Sequence, residues 1–254
     1  MKISIITVSY NSYGVIKKCL DSVKAQKNVD KEHLVIDGAS TDKTLSLLKS
    51  NRKQLKALIS EPDNGIYDAM NKGIKIASGD IIGFLNSDDF YASNNILSKV
   101  KKIFYDNPSL DACYSDLIYT SQLDCSKNIR YWKSSKFKPG LFSKGWCPPH
   151  PTFFARRSVY ERFGNFNLNY HIASDVELMM RLFEVHKINA CYIPEVWIKM
   201  RMGGTTNKNF NNILAQNKEV LLALKSHNLS FSYVSFFLNK IISRTLQFIE
   251  NYKI

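Results

Sequence analysis

An α/β fold on a mostly parallel, Rossmann-like sheet, followed by a helical tail, is predicted from three features of this chain. Short β-branched runs alternate with stretches of helical periodicity over residues 2–89, the pattern of a parallel sheet with right-handed crossovers. The apolar run Ile81-Ile82-Gly83-Phe84-Leu85 reads as a buried strand and stops at Asn86-Ser87-Asp88-Asp89, where two adjacent carboxylates are costly to bury without partners. Residues 211–254 read as two helices with no strand signal.

In chain order, residues 3–8 are a first strand, and Asn11 or Ser12 is expected to cap a helix whose apolar positions Val15, Ile16, Cys19, Leu20 and Val23 recur at helical spacing. Residues 33–36 make a second strand ending at Asp37-Gly38, after which Ser40-Thr41-Asp42 caps a helix with Leu45, Leu47 and Leu48 inward. Residues 55–59 form a third strand. The turn Pro62-Asp63-Asn64-Gly65 leads into a helix over 66–77, Gly79-Asp80 turns into the strand before Asp88, and another helix starts near Ser93. Beyond Leu110 the pattern loosens: strands at 112–119, at 129–132 and within 189–200, helices at 157–163 and 175–186, and an irregular Gly-, Pro- and aromatic-rich loop over 137–151.

With 254 residues, 44% hydrophobic and 22% charged, the chain is globular and long enough for one large domain. Its net charge of +13 favours phosphate-rich or other anionic partners. The basic residues are scattered rather than gathered into an arm, which argues against nucleic acid. Five cysteines without a CxxC pair argue against a disulfide framework or a zinc site and for a reducing, cytoplasmic compartment. The first strand begins too early to leave room for a signal peptide, and no apolar run reaches membrane-spanning length. Neither GxGxxG, GxxxxGK[ST] nor HExxH occurs, so the common dinucleotide, P-loop and zinc-hydrolase signatures are absent.

Asp37, Glu61, Asp63 and Asp88-Asp89 all fall at or near the C-terminal ends of predicted strands. A purely structural sheet gains nothing from like charges at one edge. In open α/β sheets that edge is where ligands bind, and carboxylates there suit a Mn²⁺ or Mg²⁺ ion carrying a nucleotide diphosphate. Local alternatives stay open: Asp37-Gly38 equally makes an Asx-turn, and Ser87-Asp88-Asp89 is also capping chemistry. Ser9-Tyr10-Asn11 fits a nucleotide base or ordinary capping. Trp146 and His150 lie in a proline-stiffened aromatic segment suited to stacking on a sugar or to packing. Asp175 opens a helix, as a general base or simply as a residue the macrodipole favours. The run Met200-Arg201-Met202-Gly203-Gly204-Thr205-Thr206 reads as a loop able to close over a diphosphate, or as a linker.

The segments Ser4-Ile5-Ile6-Thr7-Val8-Ser9-Tyr10-Asn11, Val35-Ile36-Asp37-Gly38-Ala39-Ser40-Thr41-Asp42, Asn64-Gly65 to Asn71-Lys72-Gly73, Ala77-Ser78-Gly79-Asp80 to Asp88-Asp89, His150-Pro151-Thr152-Phe153-Phe154 to Arg157, Asp175-Val176-Glu177-Leu178 to Arg181, and Arg201 to Thr205 appear in one order. In that order they resemble family 2 of the inverting, nucleotide-sugar-dependent glycosyltransferases. The Tyr67-Asp68-Ala69-Met70-Asn71-Lys72-Gly73 variant looks like that of bacterial surface-polysaccharide enzymes. The resemblance implies a GT-A fold over 1–208, with a nucleotide-sugar-binding half at 1–110, an acceptor half at 111–208 and a separate tail at 209–254.

It also implies roles by position. Val8, Ser9, Tyr10, Asn11, Asp37, Asp68, Asn71, Lys72, Asp88 and Arg201 would form the donor site, with Tyr10 and Asp37 on a base, usually uracil. Asp88 would contact ribose or diphosphate, Asp89 would bind Mn²⁺ or Mg²⁺, and Asp175 would be the catalytic base. Trp146 and His150 would face the acceptor, a glycan or lipid-linked glycan of a cell-surface polysaccharide. Two departures stand out: Met70 replaces an arginine common in the family, for which Lys72 or Arg201 would substitute, and Ser174 replaces a glutamate. Phe231, Tyr233, Val234, Phe236, Phe237, Leu238, Ile241, Ile242, Leu246, Phe248 and Ile249, punctuated by Lys240, Arg244 and Lys253, suit an interfacial helix on the anionic inner face of a cell membrane. They suit a dimer or core-packing helix equally well. Two rival functions remain: a sugar-nucleotide nucleotidyltransferase, whose Gly-rich loop after the first strand is missing, and an inactive membrane-bound scaffold, against which the four aspartates Asp37, Asp88, Asp89 and Asp175 argue.

Overall fold

The computed structural model describes residues 1–203 and 210–249. β1 (Lys2–Ser9), β2 (Asp30–Asp37), β3 (Ala57–Ser60) and β4 (Ile81–Phe84) pair in parallel in the order β3-β2-β1-β4. The crossovers are α1 (Ile16–Lys24), α2 (Thr44–Ser50) and α3 (Ile66–Ile76). Both faces of these strands are covered, which is why they are continuous apolar runs. Along β1, Ile3 and Ile5 face the α1 side while Ile6 and Val8 face α3, the two-residue alternation of a strand.

The second part adds β5 (Phe90–Tyr91), α4 (Ile96–Asp106), β6 (Ala112–Thr120), β7 (Asn128–Trp132), β8 (Phe154–Arg156), α5 (Arg157–Phe163), α6 (Ser174–Met180) and β9 (Ala190–Arg201). β8 lies antiparallel between β4 and β6 and joins the two parts. Gly83 makes that junction feasible: a Cβ there would sit 2.3 Å from the Phe154 ring. β6 and β9 pair in parallel, and β5 and β7 are antiparallel additions. Six strands therefore share one direction, and their C-terminal ends open on one rim. α7 (Phe210–Ser226) and α8 (Tyr233–Ile249) follow.

Several expectations change. The third strand begins at Ala57, the helix after Asp89 begins at Ile96, and the last turn of the predicted 175–186 helix is a π-type turn over Arg181–Val185. β5 and β8 were not predicted, since two- and three-residue strands contain no period to read. No side chain caps α1. The Ser12 carbonyl receives the N–H groups of Val15 and Ile16, while the Ser12 hydroxyl turns to Tyr10 O and to Ser87 Oγ at 2.9 Å. Asn11 sits at φ 48°, and its side-chain oxygen accepts the Thr41 N–H at 2.9 Å, tying the β1 loop to the β2 loop. The five cysteines are all free.

Candidate functional site

The rim is organised by carboxylates at strand ends. Asp37 closes β2 and is buried. Its Oδ1 accepts the Ser9 hydroxyl at 3.0 Å and the Ser40 hydroxyl at 2.5 Å; its Oδ2 accepts the Ser40 N–H at 3.0 Å and the Ser60 hydroxyl at 2.7 Å. A carboxylate offers about four acceptor positions, so Asp37 is filled from within and clamps the ends of β1, β2 and β3. It reaches a nucleotide only by releasing one of these hydroxyls. Val8 is a core residue beneath, and Tyr10 stands 63% exposed at the mouth.

Across the β1 loop, Ser12–Ser87 leads to the second carboxylate pair. Asp89 is fully buried; its Oδ2 accepts the Asn86 side-chain N–H at 3.2 Å, whereas its Oδ1 and the Asn86 Oδ1 are buried without a partner. Burial pushes the Asp89 carboxyl well above the usual range and Asp88 adds to this, while Asn86 and Arg201 oppose it. Arg201, at the end of β9, likewise has a buried Nε without a partner. A hard divalent cation fits this donor set: two orphaned oxygens in a dry, negative corner, where a bound ion reverses the cost of ionisation. Among the described residues no cluster of three His, Cys, Asp or Glu side chains could hold a metal. The chain thus offers only one or two oxygens, as sites do where phosphates and water complete the shell.

The opposite wall is α6. Asp175 stands in its first turn, and its Oδ1 accepts the Tyr67 hydroxyl at 3.0 Å and the Val176 N–H at 2.9 Å. Tyr67 stacks on Phe166, 5.5 Å between centroids, and its hydroxyl also bonds Ile172 O. Burial, then Asp175, raises the Tyr67 phenol well above its ordinary value, so it stays a protonated donor. The segment delivering Asp175 is held by α7: Glu219 Oε1 accepts the His171 N–H at 3.0 Å and Oε2 those of Ile172 and Ala173 at 2.9 and 2.8 Å. These are free donors at a helix N-terminus, which a carboxylate satisfies with favourable dipole interaction. A second tie runs from Glu177 on α6 to Arg181 at 2.9 Å and to His227 beyond α7 at 2.8 Å.

His150 packs between Phe84 and Phe166, and its Nε2 is buried without a partner, as is Trp146 Nε1. Burial lowers the His150 pKa and Asp175 pulls it back up. Burial raises the Tyr119 phenol at the end of β6; Arg130 and Arg244 oppose that, and Asp89 and Asp175 each add to it.

Asp68, Asn71 and Lys72, expected at the donor site, lie along α3. They line a separate cleft of about 500 Å³ between α3 and α5, together with Arg157 and Asn165. Asn71 spends its side chain on Phe166, donating to its O at 2.9 Å and accepting its N–H at 3.0 Å. Lys72 pairs with Glu61 at 2.9 Å and with Asp68 at 3.7 Å and donates to Pro62 O, while Asp68 Oδ2 accepts the Asn64 N–H. These contacts brace the α3 region around the expected donor-site residues. Arg201 is at the rim; Gly204, Thr205 and Thr206 of the closing loop lie outside the described residues, as does Lys253 of the tail. Sequence reasoning missed Tyr67 and Glu219. Both act on residue 175 or its approach from afar, and no local pattern announces a partner 108 positions away.

Comparison with known proteins comes to the same place. Residues 4–164 match the family model of glycosyl transferase family 2. A PGL/p-HBAD biosynthesis glycosyltransferase of Mycobacterium bovis (strain BCG / Pasteur 1173P2) is 31% identical over 183 residues, 71% of this chain and 69% of that protein. Among solved structures, S. aureus TarS 1-349 in complex with UDP-GlcNAc has a TM-score of 0.71 at 18% identity, covering 100% of this chain and 77% of that chain. The mannosyltransferase PcManGT from Pyrobaculum calidifontis, in complex with GDP-Man and Mn²⁺, has a TM-score of 0.64 at 18% identity, covering 96% of this chain and 69% of that one. The sheet with its flanking helices is the GT-A fold of these neighbours.

Proposed function

The chain belongs to glycosyl transferase family 2, and we propose that it moves a sugar from a nucleoside-diphosphate donor, a UDP-sugar, to a hydroxyl of a glycan with inversion at the anomeric carbon. One observation carries this reading. Asp175, a half-buried carboxylate steadied by Tyr67, is joined through Tyr67 and Phe166 to Phe84, the last residue of the strand that leads to Asp89, a buried carboxylate with an orphaned oxygen. A transferase needs a base for the attacking hydroxyl and a separate anchor for the leaving diphosphate; two carboxylates at opposite walls meet that need. Membership of the family removes support from the nucleotidyltransferase alternative.

In this reading Ser9, Tyr10, Asn11 and Asp37 bound the base and ribose, with Tyr10 free to stack. Asp88, Asp89 and Arg201 face the diphosphate. Asp89, with Asn86, is the residue that would hold Mn²⁺ or Mg²⁺, which when bound neutralises charge developing on the leaving group. Asp175 accepts the proton of the acceptor hydroxyl. The hydroxyl oxygen forms its bond to the anomeric carbon while the carbon–oxygen bond to the diphosphate breaks, and the diphosphate leaves with the electron pair. Protonated Tyr67 fixes Asp175 Oδ1 by donating to it. The Trp146 and His150 nitrogens offer polar contacts to the acceptor. That acceptor is a glycan or lipid-linked glycan of a cell-surface polysaccharide, which the M. bovis relative's role in PGL/p-HBAD biosynthesis supports only as a class.

The test is a screen of nucleotide sugars with Mn²⁺ by thermal shift, since a ligand favouring the native state raises Tm. It is followed by measurement of free UDP released in the presence of glycan acceptors. A Tm rise with UDP-sugars and acceptor-stimulated UDP release are expected; stabilisation by no nucleotide sugar overturns the reading.

A further inference from the structure

α8 is amphipathic the wrong way round. The line it presses against the body carries Phe236, Lys240 and Gln247. Phe236 is buried, Lys240 Nζ donates to Asn217 Oδ1 at 2.5 Å, and Gln247 Oε1 accepts the Arg130 Nε–H at 2.7 Å. The face left to solvent carries Val234, Leu238, Ile241, Ile242, Leu246 and Phe248, with Val234 76% and Ile241 64% exposed. A helix packed only on its own domain turns the apolar stripe inward; a contiguous apolar face left outward marks a surface covered in use. The groove between α7 and α8 extends it through Leu214, Leu222, Tyr233 and Phe237, with Lys218 and Lys225 along its walls.

Charge decides the occupant. α8 contains no Asp or Glu, and α7 contains only Glu219, both of whose oxygens bond inward to residues 171–173. The patch thus combines apolar side chains with the cations Lys218 and Lys225, and the chain as a whole carries +13. A second copy laid on this face would bring the same cations and the same net charge against it, which repel. A bilayer with anionic headgroups meets both features at once, its acyl boundary taking the apolar face and its phosphates the lysines. Among the described residues no helix is long and apolar enough to cross a membrane, so such contact is along the surface.

We propose that the α7–α8 face docks this protein on an anionic lipid bilayer, with α8 lying in the headgroup plane. The docking does not depend on the sugar-transfer reading. α8 would then lie between the bilayer and the loop of Trp146 and His150, because Gly145 packs under α8 against Phe236 and Lys240.

The test mixes the full chain with sedimentable vesicles of phosphatidylcholine alone or of phosphatidylcholine with phosphatidylglycerol. Sedimentation with the anionic vesicles and not with the neutral ones is expected. Reversing Lys218→Glu and Lys225→Glu lowers partitioning by at least about fivefold per lysine, the worth of one positive charge near an anionic surface. The pair Leu238→Asp and Ile241→Asp abolishes it while leaving Tm and circular dichroism of the free chain unchanged. Three results overturn the proposal: failure to sediment with anionic vesicles; binding indifferent to both pairs of substitutions; or a concentration-dependent dimer in ultracentrifugation that the Asp pair dissolves, which assigns the face to a second copy.

Discussion

The β1–β2 end of the rim, and the β4–β9 corner together with the wall formed by α6 and the loop of Trp146 and His150, are finished to different degrees. On the rim, Asp37 has four hydrogen bonds from three serines, and Asn11 and Ser12 stitch neighbouring loops together. At the wall His150 Nε2 and Trp146 Nε1, and at the β4–β9 corner of the rim Arg201 Nε and Asp89 Oδ1, are buried without partners. Buried polar groups in a folded protein are nearly always paired. A gathering of exceptions marks groups kept for a ligand, whereas the satisfied rim is scaffold, rigid before any ligand arrives. The lesson is that strand-end aspartates are not equivalent. Asp37 holds loops together, Asp89 waits for a partner, and only the second kind should respond sharply to ligand.

That contrast breaks first at Asp175. Asp175→Asn keeps the shape and the Tyr67 contact but removes the proposed base, so turnover should fall by about 10²–10⁴-fold while UDP binding by calorimetry stays intact. Loss of UDP binding together with turnover would move Asp175 to the donor side and erase the division between rim and wall. Next comes Asp89→Asn, which removes the charge from the orphaned oxygen. Turnover with Mn²⁺ should drop roughly 10²-fold, the worth of several kcal/mol of lost charge stabilisation. Chelation, expected to silence the parent chain, should then cost the variant little more. A variant as dependent on Mn²⁺ as its parent would place the ion elsewhere.

Glu219→Gln sharpens the comparison at the wall. The carboxylate on three N–H groups of residues 171–173 orients the first turn of α6 without touching the reacting atoms, so it is a positioning residue. Misplacement of a base by a fraction of an ångström is costly, and kcat should fall about tenfold with KM for the donor unchanged. Equal losses in both, or none in either, would reduce Glu219 to packing.

The same division governs what the sequence disclosed. Strands β1 to β4 are short contiguous apolar runs because they are buried on both faces, and the carboxylates at their ends follow directly in the chain, so both fold and rim could be read locally. Asp175 was legible as the start of a helix, whereas Arg201 was read as part of a loop and proves to be the last residue of β9. What joins them was not. The Tyr67–Asp175 and Glu219–Ala173 contacts bridge segments 108 and 46 positions apart, and nothing in the local periodicity of α3 or α7 distinguishes these side chains from solvated ones. Asn71 and Lys72 share α3 with Tyr67: Asn71, one turn on and on the same face, bonds the Phe166 backbone, and Lys72 pairs with Glu61, contacts that the local period of the helix does not announce.

The smallest effect on turnover is expected where the scaffold is most tightly bonded, at the rim opposite the site. Glu32 opens β2 and accepts from Lys2 Nζ at 2.8 Å, Ser4 Oγ at 2.6 Å, and the Ser78 N–H and hydroxyl at 2.7 and 2.8 Å. Burial alone would raise its pKa, but these donors together hold it down to about 2 against an ordinary 4.5. A carboxyl depressed on folding contributes stability that is complete above the unfolded value and is lost as the pH falls from 4.5 through about 2. Glu32→Gln should therefore destabilise the chain at neutral pH by about 1–3 kcal/mol. The gap in Tm between parent and variant should narrow as the pH is lowered through that window, and kcat should be unchanged. A fall in kcat as large as that of Glu219→Gln would mean that the far rim is coupled to the site and that scaffold and wall are not separable.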